Sequence, residues 1–342
     1  MKTKSTQNLK IIQSGDYLTE EQMRACVSDI MEGRWSDDNI AAFLLGLAER
    51  GESVDEITGA ARVMREKVLA IKAPVGAIDC CGTGGDGSST YNISTAVALV
   101  CAACDIPMAK HGSRSASSKT GAADVLEALG VELSVSKEKT EEALERFNYA
   151  FMMAPNHHKA MKHVMPVRQK LGVRTIFNIL GPLVNPAGTK YQLLGVFDKA
   201  LALTMAQALN KLGTSRAWVV HGSDGLDEIT TTGETYVAKI KDGQITEEIL
   251  TPEDFGLKRA SPQDLIGGSP QENANALRGV LKGEQGPYRD IVIANAAAAI
   301  IIAGKEETLE DAVWCAAHAL DNGKALEVLE NYIAFTKENA EA

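Results

Sequence analysis

The sequence predicts an α/β fold: a large domain with a mostly parallel central sheet flanked by helices, joined to a small all-helical domain. Three observations predict it. Residues 1–73 show only helical spacing. From Val75 onward, short apolar runs alternate with helix-length segments. Two glycine- and hydroxyl-rich stretches directly follow predicted strands, the place where parallel sheets bind ligands. At 342 residues the chain has room for two domains, taken as 1–74 with a returning segment 168–190, and 75–167 with 191–342.

Aromatic residues make up only 5% of the chain, so the core is expected to consist of Ala, Leu, Ile and Val. A net charge of −10 and a pI near 5.2 argue against a nucleic-acid binder, which needs a basic face. The six cysteines, at 26, 80, 81, 101, 104 and 315, have no zinc-ribbon spacing. Cys101 and Cys104 fall inside an apolar helix and read as small buried hydrophobes. Free thiols, no secretory leader and no run of membrane-spanning length predict a cytoplasmic protein without a membrane partner.

Thr19-Glu-Glu, Ser36-Asp-Asp and Ser53-Val-Asp-Glu each open a helix, with a hydroxyl at the N-cap and acids in the first turn. The first stops at Gly33, the second at Gly51, the third before Pro74. Ile40 to Leu47 is apolar on more than one face, which predicts cover from the rest of the chain or from a second subunit. Strands are expected at 77–80, 107–110, 149–154, 193–197 and 217–221. Helices are expected at 121–129, 137–147, 200–212, 291–303 and 309–318. Segments 236–240 and 245–250 alternate around Asp242-Gly243 and read as a hairpin. The stretch 251–286 reads as loops and short helices.

Four stretches carry chemistry. Asp79-Cys-Cys-Gly-Thr-Gly-Gly-Asp-Gly-Ser-Ser-Thr-Tyr-Asn-Ile-Ser-Thr95 sits between a strand and an Ala-rich helix, an arrangement that offers backbone N–H groups to phosphate. Asp86 beside a phosphate calls for a cation between them. Lys110-His-Gly-Ser-Arg-Ser-Ala-Ser-Ser-Lys-Thr-Gly121 adds hydroxyls and the charges of Lys110, Arg114 and Lys119. Asp227-Glu228 at a strand end suits a hard divalent cation. Between His157 and Arg168, a spacing of ten residues lets His158 and Arg168 face one way along a helix, with Arg168 able to grip a carboxylate through two hydrogen bonds. His157 and His163 read as ordinary surface residues.

Taken together and in this order, Gly82-Thr-Gly-Gly-Asp86, Asn92-Ile-Ser-Thr95, Lys110-His-Gly, Ser117-Ser-Lys-Thr-Gly-Ala-Ala-Asp-Val-Leu-Glu127, Asn178-Ile-Leu-Gly-Pro-Leu183 with Asn185-Pro186, and Asp227-Glu228 closely resemble the anthranilate phosphoribosyltransferase family. The resemblance spans essentially the full length. It implies transfer of a phosphoribosyl group from phosphoribosyl pyrophosphate (PRPP) to the amine of anthranilate. It further implies that PRPP is held by Gly82, Thr83, Gly85, Asp86, Ser89 and Thr90, by Asn92, Ser94 and Thr95, and by Lys110, Ser117, Ser118 and Lys119. Anthranilate would lie near Gly82, His111, Ser113, His158 and Arg168. Mg²⁺, two ions per subunit, would be held by Ser94, Asp227 and Glu228, with Asp86 acting indirectly. A homodimer through the helical domain and a hinge at Met165–Gly172 are also implied.

No catalytic side chain is expected, because an aromatic amine is neutral near pH 7 and positioning with electrostatics suffices. Ser113 stands where the family usually has Asn, and Lys159 where Pro commonly follows the histidine. A pyrimidine nucleoside phosphorylase would lack the Asn178–Pro186 signature and the acidic pair; a nucleic-acid-binding relative would have lost the acids and gained a basic face.

Overall fold

The computed structural model of the chain describes residues 4–115 and 119–338. Four helices come first: α1 (Lys4–Gln13), α2 (Glu20–Met31), α3 (Asp37–Arg50) and α4 (Val54–Lys67). Thr19, Ser36 and Ser53 cap α2, α3 and α4 by accepting from the third-residue N–H, and capping boxes close on Gln22 and Glu56. Ile40, Phe43, Leu44 and Leu47 of α3 are buried within the chain, while Leu45 stays exposed.

The α/β part follows: β1 (Ile78–Gly82), α5 (Ile93–Ala103), β2 (Met108–Gly112), α6 (Ala122–Leu129), α7 (Lys137–Phe147) and β3 (Tyr149–Met153). The chain then breaks into α8 (Ala154–His157), a 3-10 turn, α9 (Met165–Leu171) and α10 (Phe177–Leu180) before β4 (Tyr191–Gly195). Next come α11 (Lys199–Lys211), β5 (Arg216–Gly222), β6 (Thr235–Lys241) and β7 (Gln244–Leu250). Four helices end the fold: α12 (Pro270–Leu281), α13 (Pro287–Ala303), α14 (Leu309–Asp321) and α15 (Lys324–Lys337).

Seven strands form one sheet in the order β3-β2-β1-β4-β5-β6-β7, parallel from β3 to β5 and antiparallel beyond. The expected hairpin is the β6–β7 pair, with Asp242 and Gly243 both at positive φ. Side chains alternate cleanly between two cores, as a two-residue period requires. Leu193, Trp218, Val220 and Val237 join the core under α5, α13 and α15. Leu194, Val196, Ala217, Val219, Ala238 and Ile240 join a second core that also contains α11 and the apolar faces of α1 to α4. On that face α11 lies against β5 and β6, and α4 of the N-terminal helices packs in turn on α11.

Three expectations are corrected. The stretch 251–286 contains α12, a full twelve-residue helix with its own capping box at Ser269. His158 and Arg168 do not share a helix: the segment splits into α8, the turn at 159–163 and α9, which has Pro166 in its first turn. His157 is no surface residue. It is buried, its ring pairs with Leu69 O at 2.9 Å, and its carbonyl accepts from Leu69 N–H at 2.9 Å.

Candidate active site

The strand order reverses at β1, whose successors β2 and β4 lie on opposite sides of it, so a crevice opens at the carboxyl ends of β1 and β4. Into that crevice the glycine loop turns. Gly84, Gly85 and Gly87 all sit at positive φ, as does Ser89, so the loop needs residues that tolerate left-handed backbone. Thr83 ties it to β4, its N–H donating to Gly195 O at 2.9 Å and its hydroxyl accepting from Phe197 N–H at 3.1 Å. Behind the loop, Tyr91 N–H donates to Leu265 O, Gly267 N–H donates to Ser89 O, and the Tyr91 ring stacks on Tyr288 at 4.4 Å. Asn92 donates to Thr120 O at 3.2 Å and accepts from Asn273 of α12 at 3.0 Å. Thr120 in turn donates to Gly268 O at 2.9 Å, so glycine loop, basic loop and α12 form one frame.

The acidic pair lies across the strand ends. Gly82 and Gly195 are partners in the β1–β4 register. A Cβ on Gly82 would lie 2.1 Å from Asp227 Oδ2, and one on Gly195 would lie 1.6 Å from Asp227 O. Asp227 accepts from Gly84 N–H at 2.7 Å. Burial, then the nearby Asp86 carboxylate, pushes the Asp227 carboxyl up to about 6. Burial and Asp227 push Glu228 well above the carboxylate range, against the pull of Lys110. Lys110 is itself buried, donating to Cys80 O at 2.7 Å and to Ser94 Oγ at 3.1 Å. Three acids crowd one buried ammonium, so they resist ionising together, and a divalent cation would offset the charge of their ionised forms. Among the described residues no three His, Cys, Asp or Glu side chains already form a metal cage. That suits an ion held by one or two carboxylates and completed by phosphate and water.

On the other side of the crevice two imidazoles face each other, His111 and His158, with ring centroids 5.1 Å apart. The Nε2 atoms of both are buried without a hydrogen-bond partner. Burial, then each His neighbour, lowers His111 to about 3; burial and His157 lower His158 to about 4. Both rings are therefore neutral at pH 7. Arg168 NH2 donates to Asn178 Oδ1 at 3.4 Å, and Thr175 N–H donates to the same oxygen at 2.9 Å. Among the described residues no carboxylate pairs with Arg168, whose pKa burial lowers. A cation held by an amide, without an acid, can accept a ligand carboxylate.

The residue types expected at the site are not all available to it. Arg114 is bound to Asp124 and Glu127 of α6. Ser113 is exposed and donates to Arg114 O at 3.0 Å. Lys119 is exposed, and Ser117 and Ser118 lie outside the described residues.

Comparison with known proteins agrees with this geometry. The helical bundle domain of the glycosyl transferase family matches residues 7–68, and its a/b domain matches residues 75–326. Anthranilate phosphoribosyltransferases from Paramagnetospirillum magneticum and Rhodospirillum rubrum are 53% and 51% identical over 94% and 95% of this chain, covering 93% and 94% of their own lengths. The chain belongs to the anthranilate phosphoribosyltransferase family. Among solved structures, the Thermus thermophilus anthranilate phosphoribosyltransferase superposes with a TM-score of 0.91 at 44% identity, covering 96% of this chain and 99% of that one. The Saccharomyces cerevisiae anthranilate phosphoribosyltransferase in complex with PRPP and Mg gives 0.89 at 26% identity, covering 98% of each.

Within this anthranilate phosphoribosyltransferase fold, several residues with no predicted role turn out to hold the site. Asn185 donates to Asp79 Oδ2 at 2.7 Å and to Ala109 O at 2.8 Å, locking β1 to β2 beneath Lys110 and His111. Arg174 reaches from the segment before α10 to Gly85 O, its guanidinium 4.0 Å from the centroid of the Phe197 ring. Asn273 and Asn295 are buried amides on otherwise apolar helix faces. A lone amide in an Ala- and Ile-rich run is the signal that could have found Asn295; α12, with Gln271 and Asn275 beside Asn273, carries no such signal.

Proposed function

We propose that this protein transfers the 5-phosphoribosyl group of PRPP to the amine of anthranilate, yielding N-(5-phosphoribosyl)anthranilate and pyrophosphate, the second step of tryptophan biosynthesis from chorismate. The observation that carries the reading is the half-buried Asp227 and buried Glu228 beneath the glycine loop, facing two neutral imidazoles and an acid-free arginine across one crevice.

The glycine loop, with Asn92, Ser94 and Thr95, is the seat for PRPP, and Lys110 and Lys119 add positive charge on its flank. Asp227, Glu228 and Ser94 would hold Mg²⁺, with Asp86 beside them; the yeast relative solved with PRPP and Mg supports this choice. When bound, the ion offsets negative charge on the departing pyrophosphate. Backbone N–H groups of the loop stabilise the same charge, a term that dominates many enzymic rate enhancements. His111 and His158, uncharged and largely dry, present apolar ring faces and unused nitrogens to the aromatic acceptor, and Arg168 takes its carboxylate. The amine attacks C1 of the ribose as the C1–O bond to pyrophosphate breaks, then loses its proton to solvent. No side chain is needed as a strong base.

The 1–74 and 168–190 segments act as one helical domain, with the 165–172 region as hinge and α3, through its exposed Leu45, as part of a homodimer contact. No helix among the described residues is long and apolar enough to cross a membrane.

Anthranilate fluorescence, followed as protein, PRPP and Mg²⁺ are mixed with an EDTA control, tests the reaction. Signal loss only with PRPP and metal together is the expected result. No loss with folded protein, or phosphorolysis of thymidine or uridine instead, would refute it.

A further inference from the structure

The acidic pair is held from two sides by residues that touch no reacting atom. Asn295 lies in the middle of α13, fully buried in a run of Ala, Ile and Val. Its carbonyl oxygen accepts from Ile229 N–H at 2.9 Å. Its amide donates to Ile229 O at 2.8 Å and to Ile291 O, one helical turn back, at 2.9 Å. One side chain thus satisfies both backbone groups of the residue that follows Glu228. It does so from a helix, the most rigid kind of support a loop can have.

On the opposite side, Gly195 at the end of β4 lets the backbone of Asp227 press against the sheet, at a distance no Cβ could tolerate. Farther along the loop, Asp224 accepts from the hydroxyls of Thr230 and Thr232 and closes the turn on itself. The peptide carrying both acids is therefore clamped between α13 and β4. A buried polar amide in an apolar helix costs stability unless its bonds are made. All three of its bonds are made here, and two of them end on this peptide.

We propose that Asn295 and Gly195 are positioning residues for the metal-bound pyrophosphate, fixing where Asp227 and Glu228 meet the cation; the inference rests on the function proposed above. Groups that orient metal ligands without touching the metal change affinity about 10- to 100-fold when removed. Asn295→Leu, of similar volume, and Gly195→Ala attack the same peptide from its two sides. Both are expected to weaken Mn²⁺ uptake in the presence of PRPP, read by electron paramagnetic resonance of free Mn²⁺, about 10-fold or more. Both should raise the Mg²⁺ needed for half-maximal rate by a similar factor and leave the anthranilate KM within about twofold.

Asn295→Ser, smaller and still polar but too short to reach both groups of Ile229, carries the test if the leucine variant does not fold. Folded variants that bind Mn²⁺ with PRPP as the wild type does would overturn the positioning role. So would an anthranilate KM that rises as much as the metal requirement, because that is general loosening of the site. Wild-type protein that took up no Mn²⁺ with PRPP would overturn the functional reading along with it.

Discussion

The two walls of the crevice are built on opposite principles. The wall proposed to hold phosphate is charged, and much of it is backbone: glycines at positive φ, a buried lysine, and acids seated on strand ends by Gly82, Gly195 and Asn295. The wall proposed for the acceptor carries two neutral imidazoles and one arginine. Its imidazoles are kept neutral by burial, and they sit on β2 and on a segment chopped into short helices. Binding a polyanion demands fixed dipoles and a fixed charge balance, so that wall tolerates little displacement. Binding a small aromatic acid demands an apolar slot and one cation, so that wall can be assembled from a segment broken into short helices.

The largest expected effect falls on the first wall. Asp227→Asn and Glu228→Gln should each lower turnover at ordinary Mg²⁺ by roughly 10²–10³-fold, the size seen when one preorganised electrostatic contact is lost. Their melting temperatures should not fall, because neutralising a buried, mutually repelling acid removes a cost. Steady-state kinetics beside a thermal melt checks both halves, and full activity in either variant would remove the acids from the metal role. Next, on the second wall, Arg168→Ala should raise the anthranilate KM about 10- to 100-fold with the PRPP KM nearly unchanged, matching about 1.5–3 kcal/mol for a charge-assisted bond. If both KM values rose together, the two walls would not be separable as drawn here.

Much of this contrast is legible in the sequence. Glycine spacing, strand–helix alternation and helix caps are local signals, and they placed β1 to β7 and most helices within a few residues. The acidic pair and the glycine loop could be linked because both follow strands. The mates of those loops were hidden, because Asn92 meets Asn273 across 181 residues and Ile229 meets Asn295 across 66. The His158–Arg168 segment misled through its periodicity, since Pro166 and the turn at 159–163 break a helix that spacing alone would continue. Neither could the partners of Arg114 be read from composition: its charge is spent on Asp124 and Glu127.

Smaller effects sharpen the contrast further. Asn185→Ala strips Asp79 of a buried donor, and the loss should be about 1–3 kcal/mol of stability, with both walls weakened because β1 and β2 feed both. Urea unfolding measures the first part; a stability loss with intact KM values would show that the walls do not depend on that lock. For the histidines the sign follows from burial. Their folded pKa values, about 3 and about 4, lie below the ordinary 6.5, so the stability they contribute is whole above pH 6.5 and drains away as pH falls toward 4. His158→Asn should therefore flatten the acid limb of a melting-temperature profile between pH 6.5 and 4. Anthranilate KM, by contrast, should show no imidazole titration between pH 5 and 8. Smallest of all, Ser113→Asn should change the anthranilate KM by less than about threefold, since Ser113 is exposed and bonded to its own neighbour.

The shared core beneath the sheet bears on how this protein can be cut or recombined. Leu194, Val196, Val219 and Ile240 share one core with α11, and α11 is covered in turn by α4 of the N-terminal lobe. A fragment starting near residue 75 would bare a greasy floor and clump, although it would carry every phosphate-side residue discussed. Chimeras that trade helical lobes between relatives must therefore trade the matching floor residues as well, or they will fail as solids before they can be tested as enzymes.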